Sequence, residues 1–466
     1  MSIEKFTKEE EMNYTEILGG MRRYYGEGRT QSFEARRKSL EKLEQGLKRW
    51  GSRLEQALAE DLGKASMEAY MTELGQVREE LRWQKKHLKQ NMAVKRAPTP
   101  MTQAPAKSLR WPHPYGVVLV MAPWNYPVLL SLGPLVGAVA AGNCVVLKPS
   151  AYAPKTAETL AAMVSEVFDK GHVQVVTGGR AENQALLEQR FDYIFFTGST
   201  QVGKLVLEKA VRHLTPVTLE LGGKSPCIVA EDADPSLTAR RIVFGKLVNC
   251  GQTCVAPDYV LAPKGKVPAL VEEMKKQLLM QLGPTPLNNP EYPRIVNGKH
   301  YRRLMGLLER ARIETGGRGD ERTLRIEPTI LTGVTEQSPV MQEEIFGPIL
   351  PVVEYDTFSQ ALDFVAERPH PLALYLFTRS RKTARQVMDR LQFGGGCIND
   401  TLVHLASSHL PFGGVGESGM GAYHGQKSFD TFTHYRSVLS RGKAENPLRY
   451  HPYTPKKEKL LRRFLG

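Results

Sequence analysis

Residues 115–147 read YGVVLVMAPWNYPVLLSLGPLVGAVAAGNCVVL and contain no charged side chain. A stretch of about 20 apolar residues is long enough to cross a bilayer. Proline and asparagine interrupt this one, however, at positions 123, 125, 127, 134 and 143. We therefore predict a strand (117–122), a loop, a buried helix (about 128–141) and a strand (144–148). The strands of such a βαβ unit are covered on both faces, which explains why they are apolar throughout.

The alternation of strands and helices continues on the carboxyl side of this unit. Strands are predicted at VQVVTG and YIFFTG. A second run begins near Leu221 with PCIVA, a helix at about 234–250, DYVLAP and a helix at about 267–281, and it extends to about residue 410. This order predicts parallel, doubly wound sheets with ligand sites at the carboxyl ends of the strands.

The flanking regions differ from this pattern. Residues 1–92 carry apolar side chains at three- and four-residue spacing between charges, which predicts helices. Residues 93–112 are rich in proline and are predicted to form an extended connector or arm. The segment HYRSVLSRGK, residues 434–443, returns to strand character.

The composition is typical of a soluble globular protein with two or three domains, since the 466 residues are 41% hydrophobic and 24% charged. Five cysteines at irregular spacing do not suggest a disulfide framework, and the opening MSIEKFTKEEEM does not resemble a secretory signal. We therefore predict a cytoplasmic location. The net charge of +14 is scattered without interleaved aromatic residues, which favours a solvated surface over a nucleic-acid site. No histidine cluster has metal-ligand spacing.

Three stretches place polar groups where apolar runs end. FFTGSTQVGK, residues 195–204, leads from a strand through Gly198 and Ser199 into a helix near Gln201, which suits either a phosphate site or a plain helix cap. Asn125 lies in the rigid turn APWNYP and is either an oxyanion donor or the closure of its own turn. Glu220 ends an apolar run in TLELGGKSP and is either a general base or a helix cap or a partner of Lys224.

Two adjacent acids and two cysteines complete the set of candidate groups. Glu343 and Glu344 stand side by side in MQEEIFGPILPVV, so in an extended segment they point in opposite directions. Cys250 and Cys254 lie in VNCGQTCVAPDYV, residues 248–260. Unpaired cysteines are most often buried core residues, and the local sequence does not distinguish a nucleophile from a small apolar side chain.

In combination these stretches resemble one family. PWNYP, LKPS, FTGSTQVG, LELGGKSP, NCGQTC, EEIFGPILPV, the ND at 399–400 and LPFGGVGESGMG are similar, in this order, to the motifs of the NAD(P)-dependent aldehyde dehydrogenase superfamily. The resemblance covers essentially the whole chain. The shorter N-terminal region, SSHLPFGG and YHGQKSFDTFTHYRS look most like the class 3 branch.

The resemblance implies an aldehyde dehydrogenase-like α/β fold with a Rossmann-type cofactor domain. The implied parts are an NAD(P)-binding domain with the N-terminal helices (1–92 and 113–220), a catalytic α/β domain (221–410), a small β oligomerisation arm (93–112 and 430–447) and a C-terminal tail (448–466). It also implies a homodimer in which a strand adds to the sheet of the partner.

The resemblance further implies oxidation of an aldehyde to a carboxylic acid. Cys254 matches the family nucleophile, which forms a thiohemiacetal and, after hydride transfer to NAD or NADP, a thioester. Asn125 matches the oxyanion donor, acting with the backbone N–H of Cys254, and Glu220 matches the base that activates water for hydrolysis. The alternative within this fold is a CoA-acylating enzyme, which generally lacks the acid at the position of Glu220.

Cofactor and substrate positions carry over in the same way. The residues that match cofactor-binding positions are Lys148, Gly198, Ser199, Gly203, Trp124, Glu344 and Phe346, and Tyr126 matches a residue of the substrate tunnel. One position departs from the pattern, because Ala151 stands where many relatives have a glutamate that binds the ribose of NAD. Loss of that carboxylate removes repulsion toward a 2′-phosphate, so we predict use of NADP at least as readily as those relatives.

The remaining cysteines and the tail have weaker signals. Cys250 matches no catalytic position and is predicted to be a small residue on the helix before Cys254, with a redox partner of Cys254 as the alternative. Cys144 and Cys227 lie in strand patterns and are predicted to be core residues. The basic amphipathic tail, RYHPYTPKKEKLLRRFLG, suits packing near the tunnel, on a partner subunit or on a membrane surface. Medium- or long-chain aliphatic and aromatic aldehydes are the substrates that the class 3 resemblance implies.

Overall fold

The structure, a computed structural model, describes residues 13–465. Two largely parallel sheets with helices packed on them form the body, which confirms the predicted α/β class. The predictions for residues 1–12, a helix and the absence of a secretory signal, lie outside the described residues. Within the described range, no helix has both the length and the apolar character needed to cross a membrane.

The helices fall mainly in the first 92 residues and between strands, as predicted, and a π-helical turn (Tyr70–Leu74) lies between the third and fourth. In chain order they are α1 (Tyr14–Gly26), α2 (Phe33–Leu62), α3 (Ser66–Ala69), α4 (Gly75–Met92), α5 (Pro127–Ala141), α6 (Pro154–Val167), α7 (Arg180–Leu187), α8 (Thr200–Val211), α9 (Pro235–Leu247), α10 (Val267–Leu282), α11 (Gly298–Gly306), α12 (Pro339–Gln342), α13 (Phe358–Ala366), α14 (Arg381–Arg390), α15 (Gln426–Thr431) and α16 (Pro455–Leu465).

The strands are short, and most of those in the two large sheets are fully buried. They are β1 (Lys95–Ala97), β2 (Ala106–Pro114), β3 (Val117–Met121), β4 (Cys144–Lys148), β5 (Val173–Val175), β6 (Tyr193–Thr197), β7 (Val217–Glu220), β8 (Pro226–Val229), β9 (Tyr259–Pro263), β10 (Arg312–Thr315), β11 (Gly319–Asp320), β12 (Arg325–Ile326), β13 (Thr329–Thr332), β14 (Ile349–Tyr355), β15 (Ala373–Phe377), β16 (Gly395–Ile398), β17 (Gly419–Met420) and β18 (Thr433–Arg441).

The first sheet grows from the apolar stretch that opened the sequence. Its order is β17-β7-β6-β3-β4-β5, and all pairs are parallel except β17 with β7. Alternate residues of β3 enter two different cores: Val118 and Val120 pack with α5, whereas Val117 and Leu119 lie in the core on the opposite face. The sheet is therefore covered on both faces, as the continuous apolar run predicted.

The second sheet holds the carboxyl half of the chain. Its order is β10-β13-β14-β9-β8-β15-β16, parallel except for β10 with β13. Cys227 on β8 and Cys144 on β4 of the first sheet are both fully buried, as predicted. A third, antiparallel sheet joins β1, β2 and β18, so the proline-rich segment and the strand near the C-terminus form one arm.

Candidate active site

The carboxyl edge of the first sheet collects four of the predicted positions. Lys148 ends β4, Asn125 follows β3, Ser199 follows β6 and Glu220 ends β7. Because β4, β3, β6 and β7 are parallel neighbours in this order, their carboxyl ends lie along one edge of the sheet. This is the edge where doubly wound sheets bind ligands.

The loop that carries Cys254 has an unusual backbone. Helix α9 ends at Leu247, and Asn249, Cys250 and Gly251 all have positive φ values of 51°, 54° and 70°. Gly251 is required here because a Cβ would meet the carbonyl oxygen of Gly347. This left-handed turn reverses the chain before Cys254.

The prediction that Cys250 lies on the preceding helix is wrong. The helix stops three residues earlier, and Cys250 is fully buried in the left-handed turn. Its thiol donates a hydrogen bond to the hydroxyl of Tyr292 over 3.1 Å. Burial raises the pKa of this thiol to about 12, which keeps it in the neutral form.

Asn125 is anchored beside the loop of Cys254. Its side-chain Nδ2 donates to the backbone oxygen of Gln252 over 3.0 Å, and the residue is 3% exposed. Its Oδ1 has no hydrogen-bond partner among the described residues. The side chain therefore crosses to the loop of Cys254 instead of closing its own turn, which was the alternative open from the sequence.

Glu220 is almost completely buried at the end of β7. It is 2% exposed, and neither carboxylate oxygen has a hydrogen-bond partner in the described part of the chain. Burial raises the pKa of Glu220 well above its usual range. The carboxylate caps no helix and does not pair with Lys224, whose ammonium instead contacts Asp258. A buried carboxyl without partners is a candidate for proton transfer.

Glu343 and Glu344 point in opposite directions, as predicted. Glu343 is exposed and pairs with Arg303 over 2.8 Å. The carboxylate of Glu344 lies against Gly222, where any side chain would collide with it, and its Oε1 has no partner among residues 13–465. Burial, and next the charge of Asp258, raise the pKa of Glu344 to about 8.

An aromatic contact joins the loop that carries Glu344 to the turn that carries Asn125. Phe346 has a φ of 49°, and its ring lies 5.4 Å from the ring of Trp124 in a near-perpendicular arrangement. The ring of His300 also lies 5.4 Å from that of Trp124, and this residue was not among the predicted site residues. Its position comes from α11, and no motif in the sequence indicates that this helix reaches the site.

The turn at Gly198 and Ser199 leads from β6 into a helix, as predicted. Helix α8 begins at Thr200, one residue before the predicted start, and Ser199 caps it by accepting from the N–H of Val202 over 3.4 Å. Gly203 packs tightly, since a Cβ there would lie 2.6 Å from the side chain of Leu221. Ser199 is exposed, so the first turn of α8 is open to an anion.

Lys148 is a buried cation at the end of β4, two strands away from the turn of Ser199 along the same edge. Its Nζ donates to the backbone oxygens of Pro149 (2.9 Å) and Gly178 (2.7 Å). Burial lowers the pKa of Lys148 to about 8. An ammonium group, an open helix N-terminus and the unpartnered oxygen of Glu344 together form a donor and acceptor set that fits the phosphates and ribose hydroxyls of a dinucleotide.

Cys254 opens onto a cavity of about 150 Å³ with an almost wholly apolar wall. Tyr126 forms part of this wall, and its hydroxyl lies 2.6 Å from Oγ1 of Thr253. The cavity is lined by Met71, Thr72, Gln76, Tyr126, Leu129, Leu130, Phe244, Val248, Thr253, Cys254, Val255, Leu402, Val403, Leu405, Ala406, Phe412, Tyr423 and His424.

Most of this lining was not predicted from the sequence. Met71 and Thr72 come from the π-helical turn, and the segment around residues 402–424 closes the opposite side. These residues stand in loops and short turns without periodicity, so no local signal placed them.

Electrostatics hold the Cys254 thiol in its neutral form. Burial raises its pKa above the usual range, and the nearby carboxylates of Glu344 and Glu220 raise it further. A positive charge beside the sulfur would therefore be needed to favour the thiolate.

Comparison with known proteins agrees with these features. The model of the aldehyde dehydrogenase family matches residues 2–438. The chain belongs to the aldehyde dehydrogenase family. It is 45% identical over 436 residues to a 4,4'-diaponeurosporen-aldehyde dehydrogenase of Staphylococcus aureus, covering 93% of this chain and 95% of the relative. It is also 45% identical over 452 residues to aldehyde dehydrogenase family 3 member B1 of Bos taurus, covering 96% of each. These relatives confirm the class 3-like resemblance.

Solved structures confirm the aldehyde dehydrogenase-like fold and the cofactor class. Staphylococcus aureus AldH in a substrate-bound state superposes with a TM-score of 0.96 at 44% identity, covering 98% of this chain and 100% of the other. A Mycobacterium tuberculosis aldehyde dehydrogenase complexed with NAD+ superposes with a TM-score of 0.83 at 27% identity, covering 92% and 90%. The enzyme is an NAD(P)-dependent aldehyde dehydrogenase that oxidises aldehydes to acids, and the CoA-acylating alternative is not favoured.

Proposed function

We propose that this aldehyde dehydrogenase oxidises apolar aldehydes through a thioester on Cys254. The observation that carries the proposal is the position of Cys254 in the wall of an almost wholly apolar cavity. Such a wall favours aldehydes with an aliphatic or aromatic body, because each Å² of apolar surface removed from water contributes about 25 cal/mol of favourable free energy to binding.

In the first half of the reaction, the Cys254 thiol loses its proton to solvent, and the resulting thiolate attacks the aldehyde carbon. The new C–S bond places negative charge on the former carbonyl oxygen, which the Asn125 amide and the backbone N–H of Cys254 stabilise by donating hydrogen bonds. NAD(P) bound at the edge of the first sheet would supply a positive charge that favours the thiolate and would accept the hydride. Loss of that hydride leaves the substrate as an acyl thioester on Cys254.

In the second half, Glu220 acts as the general base. Its ionised form accepts a proton from water, and the water oxygen attacks the thioester carbon. The C–S bond then breaks, which releases the carboxylic acid and returns the sulfur of Cys254. Because burial raises the pKa of Glu220, this carboxylate is a stronger proton acceptor than an exposed glutamate.

The test traps the thioester. Glu220→Gln, given an apolar aldehyde and NAD, should accumulate an acyl adduct detected by intact-mass spectrometry. The adduct should disappear in Glu220→Gln/Cys254→Ser and persist in Glu220→Gln/Cys250→Ser. An adduct that survives loss of Cys254 would refute the assigned nucleophile, and acyl-CoA formation by the wild type with coenzyme A would revive the alternative reaction.

We assign the cofactor to the edge of the first sheet. Lys148 and Glu344 would bind its two ribose groups, Ser199 and the turn at Gly198 its pyrophosphate beside Trp124, and Phe346 its nicotinamide, with Gly203 allowing the close approach of α8. Ala151 is exposed in the turn three residues after β4 and carries no charge that would repel a 2′-phosphate. Calorimetric titration should therefore show NADP binding, and Ala151→Glu should weaken NADP more than NAD. Equal effects on both would contradict this role.

The arm and the C-terminal tail suit contacts with a second subunit or with a membrane surface. We infer a homodimer formed through β18, which lies at the edge of the arm with Val438 and Leu439 exposed.

Helix α16 packs against the turn Met101–Gln103 of the same arm and carries basic residues in its last turn. We infer that this helix contacts either a partner subunit or a membrane surface. Vesicle flotation with and without residues 452–466 tests the membrane contact, which equal flotation would exclude.

We infer a cytoplasmic location from the thiols. All five cysteines are free, as expected for a reducing compartment.

A further inference from the structure

A buried ion pair lies directly behind the turn that carries Asn125. The side chains of Lys64 and Glu73 are both completely inaccessible to solvent, and the Lys64 Nζ lies 2.5 Å from Oε1 of Glu73. Lys64 comes from the segment after α2, and Glu73 comes from the π-helical turn. Removing two charges from water costs several kcal/mol per ion, so such a pair adds little net stability and calls for another explanation.

Both members of the pair hold the neighbourhood of Asn125. Lys64 Nζ donates to the backbone oxygen of Asn125 over 3.0 Å and lies 4.0 Å from the ring centre of Tyr126. Glu73 uses its second oxygen to accept from the N–H groups of Val128 (2.8 Å) and Leu129 (3.2 Å) in the first turn of α5. The pair therefore fixes the chain on both sides of residues 125–127.

A closed network of hydrogen bonds links the turn of Asn125 to the loop that carries Cys254. Asn249 Nδ2 donates to the backbone oxygens of Asn125 (2.8 Å) and Gln252 (3.1 Å). The Asn125 amide returns a hydrogen bond to the same Gln252 oxygen. The Asn125 carbonyl thus accepts from two buried side chains, and the Lys64 ammonium supplies the only charged donor to it in the described structure.

We propose that Lys64 is a positioning residue, which holds the Asn125 amide at the distance that oxyanion stabilisation requires. The proposal rests on the function proposed above for Asn125. Oxyanion donors act only within a few tenths of an ångström of their working position, and a misplacement of about 1 Å can cost roughly 100-fold in rate. A fully buried ammonium restrains the carbonyl of Asn125, and through it the side chain two bonds away, more rigidly than a solvated group could.

The test removes both charges together, because Lys64→Met alone would leave Glu73 unpaired and could prevent folding. In Lys64→Met/Glu73→Gln, the glutamine still offers an oxygen to the N–H groups of α5, but the donor to Asn125 is lost. We expect the rate of the first turnover to fall roughly 10- to 100-fold in a protein that unfolds at a temperature near that of the wild type. An unchanged rate would overturn the proposal.

The same pair of substitutions in an Asn125→Ala background separates positioning from general damage. Asn125→Ala alone should lower the rate by roughly 10²- to 10³-fold. If Lys64 acts through the Asn125 amide, adding Lys64→Met/Glu73→Gln to this background should cause little further loss. A full additional loss would overturn the role of Lys64, whereas an unchanged rate in Asn125→Ala alone would refute the proposed role of Asn125 itself.

Arg36 offers a matched control at the other end of α5. It is 7% exposed, and its guanidinium donates to the backbone oxygens of Thr30 and Ala140. Arg36→Met also removes a buried cation that holds this helix. The hydrogen bonds of Arg36 in the described structure reach neither Asn125 nor the loop of Cys254. We expect lower stability with a nearly unchanged first-turnover rate. An equal fall in rate would mean that loosening of α5, and not the contact of Lys64, slows the reaction.

Discussion

At the scale of single residues, burial and two carboxylates determine the reactivity of Cys254. Burial raises the pKa of its thiol, and Glu344 raises it more than Glu220 does. Since the pKa of Glu344 is about 8, its carboxylate is ionised mainly above that pH, where its repulsion of the thiolate is greatest. Burial, and above about pH 8 also the Glu344 carboxylate, therefore favour the neutral thiol, and a positive charge in the site would favour the thiolate.

Glu344→Gln should lower the pKa of the Cys254 thiol. The measurement is the rate of labelling by iodoacetamide between about pH 7 and pH 10, where thiolate formation determines the rate. Glu343→Gln is the matched control, because the neighbouring side chain points outward to Arg303. Equal labelling profiles for both variants would show that the carboxylate of Glu344 does not act on the sulfur.

Glu220 should make the stability of the enzyme depend on pH. Its pKa is raised in the folded state, so the stability associated with the protonated form is present below the pKa of the unfolded chain and is lost as the pH rises through the folded value. Glu220→Gln stays neutral, so its free energy of unfolding should exceed that of the wild type at about pH 9 and approach it at acidic pH. The excess should be about 1.4 kcal/mol for each tenfold difference in proton affinity between the folded and unfolded carboxylate. Denaturant unfolding at both pH values checks this, and a constant difference would contradict it.

At the scale of elements, the left-handed turn between α9 and Cys254 connects two loops. Gly251 has a φ of 70° and touches the carbonyl of Gly347, in the loop that also carries Glu344. Gly251→Ala should therefore destabilise the enzyme by about 2 kcal/mol or more and lower kcat. Gly28→Ala, in the turn between α1 and α2, has a similar φ of 75° but free space around it, so it should cost only about 1 kcal/mol and leave kcat unchanged. Equal effects on kcat would refute the link between the loops.

The elements also show which parts of the fold were predictable. The strands β3 and β4 and helix α5 followed from one uncharged run, because burial on all sides leaves a continuous apolar signature. The π-helical turn, the left-handed residues 249–251 and the two-residue strand β17 were missed. Each depends on contacts with distant parts of the chain, which local propensity does not record.

The candidate site was predictable for a different reason. Local sequence left Asn125, Glu220 and Cys254 each with a structural alternative, and only the ordered set of motifs, through the family resemblance, selected them. Lys64 and Glu73 gave no signal, because a lysine and a glutamate in a stretch rich in charged residues usually face solvent. They are buried because the turn of Asn125, which is distant in sequence, packs over them in the folded structure.

At the scale of the whole molecule, the division into domains remains a proposal. The boundary that we propose after Glu220 falls between β7 of the first sheet and β8 of the second. The segment after residue 410 returns to the first sheet, since β17 pairs with β7. Glu220 ends a strand of the first sheet, whereas Cys254 lies in the connection between β8 and β9 of the second, so the site depends on how these sheets are held together.

The arm should make the enzyme a dimer in solution. Strand β18 is nine residues long and lies at the edge of its sheet, with Val438 38% and Leu439 48% exposed, so it is suited to pair with a second copy. Val438→Lys/Leu439→Glu places charge on both faces of this edge and should shift the molar mass, measured by light scattering over a concentration series, toward that of one chain. Met280→Lys, at a 76% exposed position on α10, should leave the mass unchanged. A monomeric wild type, or a dimer that survives the changes in β18, would exclude this strand as the interface.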